Sequence, residues 1–165
     1  ELGGKGGWDA NHHDYMEIKN KEKNPQAWFR EDEILDLGFV QWLIGGVIDS
    51  QDEDFSHTLA ICDQQLRKGL GYIRYSQDAY GENHKGGAWP LLSGERALAA
   101  IEQKKPFLEH LDYIENSFNA AQVLAEQDTL SVSPLGWSHA NYLILLRSIK
   151  DKNSFYKYRT VGKGQ

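Results

Sequence analysis

The run from Ile34 to Ile48 limits what this chain can become more than any other segment. Ile34, Leu35, Leu37, Phe39, Val40, Trp42, Leu43, Ile44, Val47 and Ile48 occupy nearly every side of a helical wheel. A helix that is apolar all round is buried all round, so the pattern predicts a helix from about Glu31 to Ile48 packed between neighbours. Such a helix needs several others, and the sequence supplies them. A second is expected from about Asp54 to Lys68, with Phe55, Leu59, Cys62 and Leu66 on one face and Gly69 as its stop. A third starts near Trp89, carries Leu91, Leu92, Leu98, Ala99 and Ile101, and ends before Pro106. A fourth spans about Phe107 to Ala125, where Leu108, Leu111, Ile114, Phe118, Ala121 and Val123 recur at three and four. The last opens at Ser133-Pro134, an N-cap residue followed by proline in the first turn, and runs to about Ile149. Ahead of these, residues 1–30 are Gly-rich and aperiodic, with one short strand expected at Tyr15 to Ile18 before a turn over Asn20 to Pro25. The predicted fold class is all-α: helical hairpins joined by long aromatic loops, in a bundle or α/α toroid. At 165 residues, the whole of 1–165 reads as a single domain.

Charge and composition exclude several functions. The net charge is −6, and the lysines and arginines are scattered without a basic stripe, which argues against nucleic acid. No stretch approaches the ~20 apolar residues of a membrane span, and nothing resembles a signal peptide. The single cysteine, Cys62, cannot form an intramolecular disulfide and sits among apolar neighbours, as a buried inert thiol does. The compartment stays open, with the cytoplasm favoured over secretion. The chain opens on Glu1 and its one methionine is Met16, as expected of a piece of a longer polypeptide. His12-His13-Asp14 has no partner cluster at ligand spacing, so no metal is expected. Gly3-Gly4-Lys5-Gly6-Gly7 lacks the flanking strand and the Ser or Thr of a phosphate-cradling loop, so no cofactor is expected either.

The loops hold the chemistry. Tyr72-Ile73-Arg74-Tyr75, Asp78-Ala79-Tyr80 and Glu82 lead through Gly86-Gly87 into Trp89-Pro90, within a chain of five Trp and eight Tyr. Flat rings stack on pyranose faces, while a fixed cation and carboxylates grip hydroxyls, so this composition suits a saccharide. The plain alternative is an exposed loop with surface ion pairs of little consequence. A third possibility is a helical interaction domain whose aromatic loops bind protein.

Four motifs in register sharpen the choice. Tyr72-Ile73-Arg74-Tyr75 with Asp78-Ala79-Tyr80-Gly81, Trp89-Pro90-Leu91-Leu92-Ser93-Gly94-Glu95-Arg96, Ser133-Pro134-Leu135-Gly136-Trp137-Ser138-His139-Ala140-Asn141-Tyr142 and the Glu31 to Phe39 opening resemble the glucoamylase and glucodextranase family, glycoside hydrolase family fifteen. The resemblance implies an (α/α)6 toroid of which this chain forms the C-terminal half. It implies inverting hydrolysis of α-glucosidic bonds in the full-length protein, with an α-glucan or oligosaccharide as substrate. Inversion uses two separated carboxyl groups, one to protonate the leaving oxygen and one to activate water. The family carries the base in a Pro-Glu-Gln segment shortly before the last helix; here Leu124-Ala125-Glu126-Gln127 stands there, with Ala125 in place of proline, which makes Glu126 the candidate base. Arg74 and Tyr75 match positions that hold the sugars flanking the scissile bond, and Asp78 and Trp89 complete the candidate binding set. Glu95 and Arg96 are expected to form a structural ion pair, Trp137 to pack inside the toroid and His139 to be a core histidine. The family's general acid lies upstream of the segment resembling Glu31 to Phe39. Nothing in residues 1–30 matches it, with Glu17 eligible only by default, so the chain alone is expected to be inactive. The resemblance also allows a non-catalytic carbohydrate-binding or regulatory module on the same fold. Half a toroid would further be expected to self-associate or to pair with the missing N-terminal half.

Overall fold

The computed structural model describes residues 8–9, 14–15, 34–76, 78, 80, 86–128 and 131–151. The elements in order are β1 (Trp8–Asp9), β2 (Asp14–Tyr15), a 3-10 turn (Leu37–Phe39), α1 (Val40–Ile44), α2 (Glu53–Gln65), β3 (Arg67–Lys68), β4 (Gly71–Tyr72), α3 (Pro90–Glu102), α4 (Leu108–Asn116) and α5 (Gly136–Asp151). The strands form two small antiparallel hairpins, β1 with β2 and β3 with β4. β2 ends at Tyr15, and the remainder of the strand expected to Ile18 lies outside the described residues.

The helix enclosed on every side is α3, not the Ile34 to Ile48 run. Twelve of the thirteen α3 residues are buried, all but Ile101. One apolar cluster joins its Trp89, Leu92 and Ala99 side to α1 and α2 through Leu37, Phe39, Val40, Leu43, Phe55, Leu59 and Cys62. A second joins Ala97 and Leu98 to Ile114 of α4, Leu124 and Leu145 of α5. Within Ile34 to Ile48, residues 34–36 are extended, with Asp36 bridged to Tyr75, and only the turn and five-residue α1 are helical. The Asp36 carboxylate accepts from the Gly38 N–H and starts the turn; Gly45 caps α1, and Gly46 at φ 75° turns the chain away. An extended stretch followed by a short helix thus produces the all-round apolar pattern, and Val47 is left exposed.

The fourth helix also ends early. Asn119 accepts from the N–H groups of Ala121 and Val123, folding a turn that brings Phe118 opposite Leu124. This side-chain chemistry competes with helix continuation over a stretch whose spacing reads as helical. α5 begins at Gly136, because the Ser133 hydroxyl accepts from Asn119 Nδ2 instead of capping a helix. α3 falls where expected, and α2 starts where expected but stops at Gln65, because Arg67 and Lys68 pair with Gly71 and Tyr72 and Gly69 serves that hairpin instead of the helix end. Asp52 caps α2 by accepting from the Phe55 N–H, and Pro90 opens α3 in the first turn. Cys62 is fully buried.

A chain of backbone hydrogen bonds fixes the loop after β4 against these helices. Ile73 donates to Leu66 and Trp89 to Tyr72 on one side; on the other, Leu37 donates to Arg74 and Ser76 to Leu35. Residues 72–76 are therefore held between the Asp36 segment and the start of α3. Among the described residues, no helix is long and apolar enough to cross a membrane.

Candidate active site

Arg74, Trp89 and Glu126 come from three separate stretches of sequence and line one cavity of about 360 Å³. Gly38 and Gln41 supply a wall from the turn and α1; Leu91, Leu92 and Glu95 supply the face of α3; Leu135 and Trp137 close it beside Glu126. Leu91 and Leu92 lie four and three residues before Glu95, the spacing that puts helical side chains on one face.

Trp89 stands at the N-cap position of α3 and is 8% exposed. It belongs to the core cluster and lines the cavity at once, with the Tyr80 ring 6.0 Å from its own. Arg74 is half exposed, and its Nε lies 3.5 Å from Asp36 Oδ2, a loose pairing that leaves the cation available to the cavity. Glu126 follows the Phe118 to Leu124 turn in an open loop and donates its backbone N–H to Val132. Its Oε2 accepts from the Tyr80 hydroxyl at 2.8 Å, and that hydrogen bond raises the Tyr80 pKa.

Tyr75 and Asp78 are not in the lining. Asp78 is buried, accepts from the Tyr80 N–H at 2.8 Å and supports the loop from beneath. A side chain on Gly86, which sits at φ 59°, would meet the Asp78 carbonyl oxygen at 2.8 Å, so this glycine lets the chain pass close to Asp78, while Gly87 lies against Gln127. Tyr75 forms the bridge with Asp36, and burial with the nearby Asp78 charge raises its pKa.

The expected Glu95–Arg96 ion pair does not form. The two side chains diverge, Glu95 towards α1 and Arg96 towards α2. Arg96 grips Asp63 through two hydrogen bonds, Nε to Oδ1 at 2.9 Å and Nη2 to Oδ2 at 2.7 Å, and the Tyr72 hydroxyl also donates to Asp63 Oδ1 at 2.8 Å. Burial opposes the Asp63 charge, but the hydrogen bond and charge of Arg96 outweigh it and hold the carboxyl below its ordinary range. His110 lies beside Tyr72 with its ring tilted, and burial together with the Arg96 charge lowers it to about 4, so it is neutral at physiological pH. This cluster braces β4, and the Tyr72 carbonyl in turn holds the Trp89 N–H.

Glu95 itself is 1% exposed, and the Gln41 amide donates to its Oε1. Burial, with a smaller contribution from the Asp36 charge, pushes it up to about 8 against the opposing pull of Gln41 and Arg74. Trp137 is 57% exposed and borders the cavity rather than an interior. Gln41, Glu95 and Trp137 were not expected at the site. A carboxylate sharing a helical face with two leucines was the available signal for Glu95. His139 accepts from the Leu124 N–H at 2.9 Å and meets the Phe118 ring, a structural role. Among the described residues no group of three metal-binding side chains occurs, and the His12 and His13 pair lies outside them.

An aromatic ring, a cation and a carboxylate thus line one cavity on a helical scaffold. No family model matches the chain. Its sequence is homologous to a glucoamylase of Clostridium sp. (strain G0005), at 33% identity over 140 residues covering 73% of this chain and 20% of that enzyme. Among solved structures it superposes on a bacterial glucoamylase complexed with acarbose, with a TM-score of 0.69, 28% identity, and 77% of this chain against 22% of that one. A glycosidase solved in complex with glucose matches with a TM-score of 0.62 at 23% identity over 72% of this chain and 36% of that one, a likeness of fold alone. The chain is thus mostly helical with the fold of part of a glucoamylase, an (α/α)6 toroid, and spans about a fifth of the length of the glucoamylases it matches.

Proposed function

We propose that this chain is the base-bearing, sugar-gripping part of a glucoamylase-like glycoside hydrolase of family fifteen, from the C-terminal half of its catalytic domain. The observation that carries the reading is the meeting of Arg74, Trp89 and Glu126 around one cavity, from segments 52 residues apart at the extremes. In the full-length protein, Trp89 stacks on the pyranose face and Arg74 grips hydroxyls, with Tyr75 and Asp78 holding the loop that carries it. Glu126, oriented by the Tyr80 hydroxyl, activates the water that attacks an α-glucosidic carbon with inversion. The general acid that protonates the leaving oxygen comes from outside this chain, so the fragment alone does not hydrolyse. The homology to glucoamylase and the neighbour solved with acarbose support an α-linked oligosaccharide as substrate.

The decisive variant is Glu126→Gln in the full-length protein. Loss of a general base is expected to lower kcat on an α-glucoside by about 10²- to 10⁴-fold while saccharide binding persists. Unchanged turnover would remove Glu126 from the mechanism. Saccharide binding by a wild-type protein that never hydrolyses would make the fold a carbohydrate-binding module.

A further inference from the structure

The cavity holds a second carboxyl group that the proposed hydrolysis leaves unused. Glu95 is enclosed, and its Oε1 accepts from Gln41. Its Oε2 has no hydrogen-bond partner among the described residues, although the side chain lines the cavity beside Trp89, Leu92 and Glu126. Nothing structural consumes this oxygen: the neighbouring cation, Arg96, is committed to Asp63, and Arg74 reaches Asp36. A buried polar atom left unmatched at the wall of a cavity is a cost that a guest can relieve.

Resting on the reading of this cavity as a saccharide site, we infer that Glu95 is a further substrate-binding residue, a neutral carboxylic acid that donates from Oε2 to a sugar hydroxyl. With Oε1 accepting from Gln41, the proton of the neutral acid belongs on Oε2, where an incoming hydroxyl oxygen accepts it. The charged and titratable groups facing Glu95 are Asp36 and Arg74, with Glu126 across the same cavity. Burial and Asp36 keep Glu95 protonated at neutral pH, so a neutral saccharide meets one donor acid and one carboxylate rather than two repelling anions. Gln41 becomes a positioning residue, fixing which oxygen carries the proton.

The test is calorimetric titration of maltotriose into the full-length protein carrying Glu126→Gln, expected to slow hydrolysis, with Glu95 intact or replaced by Gln or Met. Glu95→Met should weaken binding by roughly 5- to 100-fold, the loss of a hydrogen bond that leaves a sugar hydroxyl unpaired. With Glu95 intact, affinity should fall up to about tenfold per pH unit above pH ~8 as the donor ionises. Glu95→Gln, which keeps a donor that cannot ionise, should bind within a few-fold and lose that alkaline fall. Maltotriose binding unaffected by Glu95→Met, or an affinity flat through pH 9.5 with Glu95 intact, would overturn the inference while leaving the site reading standing. No maltotriose binding by the parent would overturn both. If Glu95→Met fails to fold, the comparison of Glu95 with Gln across pH still decides. A collapse in kcat without a change in KM for Glu95→Gln alone would make it a proton donor instead, and also refute the proposal.

Discussion

Gly94→Ala pits helix propensity against packing. In the interior of an ordinary helix, alanine for glycine stabilises by roughly 0.5–1 kcal/mol, because glycine loses more backbone freedom on folding. Gly94, however, lies tight against Asn141 of α5. A Cβ there would stand 1.8 Å from Asn141 Oδ1, 3.0 Å from its Cγ and 3.6 Å from Ile114 Cδ1. Asn141 is 6% exposed, so its short side chain has little room to retreat. Forcing a methyl into packed surroundings costs about 1–3 kcal/mol, so packing wins and the variant should be less stable by about 1–2 kcal/mol. That is a fall of about 2–8 °C in melting temperature, readable by circular dichroism. The same substitution on an Asn141→Ala background should be neutral or stabilising, since the obstructing atoms are gone and only propensity remains. If Gly94→Ala alone melts at or above the parent temperature, the close α3–α5 approach is wrong.

Three further outcomes follow from the same contacts. Glu95, pushed from 4.5 to about 8, holds a proton when folded that the unfolded chain releases, so its stabilising effect is full below pH 4.5 and lost as pH rises to 8. Relative to Glu95→Gln, the parent should lose up to about 5 kcal/mol over that range at 1.36 kcal/mol per pH unit; a pH-independent difference in urea midpoints would refute it. Arg96→Met should cost about 2–3 kcal/mol in urea unfolding, reduced from the fully buried case because Asp63 is 31% exposed, and Asp63→Asn should recover part of it; additive losses would deny the coupling. In the isolated chain, exposed Leu143 and Ile144 of α5 should drive self-association and apolar dye binding, both reduced by Leu143→Glu with Ile144→Lys; a monomer without dye binding by sedimentation would refute the open seam.

Part of the site was legible because its chemistry is local. Trp89-Pro90 marks the start of α3, and the Tyr72 to Tyr80 loop carries the cavity's cation, Arg74, in view. Glu126 was singled out only through the resemblance of Leu124-Ala125-Glu126-Gln127 to a Pro-Glu-Gln segment, and it lines the cavity. Glu95 was misread because adjacency suggested a partner in Arg96, whereas a helix turns neighbouring side chains apart, sending one to Gln41 and the other to Asp63. Trp137 was misread because a tryptophan in an apolar helix says nothing about which neighbours cover it.

Hydrophobic spacing in the sequence alone placed α2 and α3, and Pro90 marked where the second opens. Those signals act within a turn or two of chain and need no partner. Only the tertiary structure decided which helix is central, where the Ile34 run stops being a strand, and that Asn119 ends α4 by folding back on its own backbone. It also decided that Arg74, Trp89 and Glu126 meet. Their meeting depends on hydrogen bonds between residues dozens of positions apart, from Leu37 to Arg74 and from Ala88 to Asp128, which no local pattern encodes.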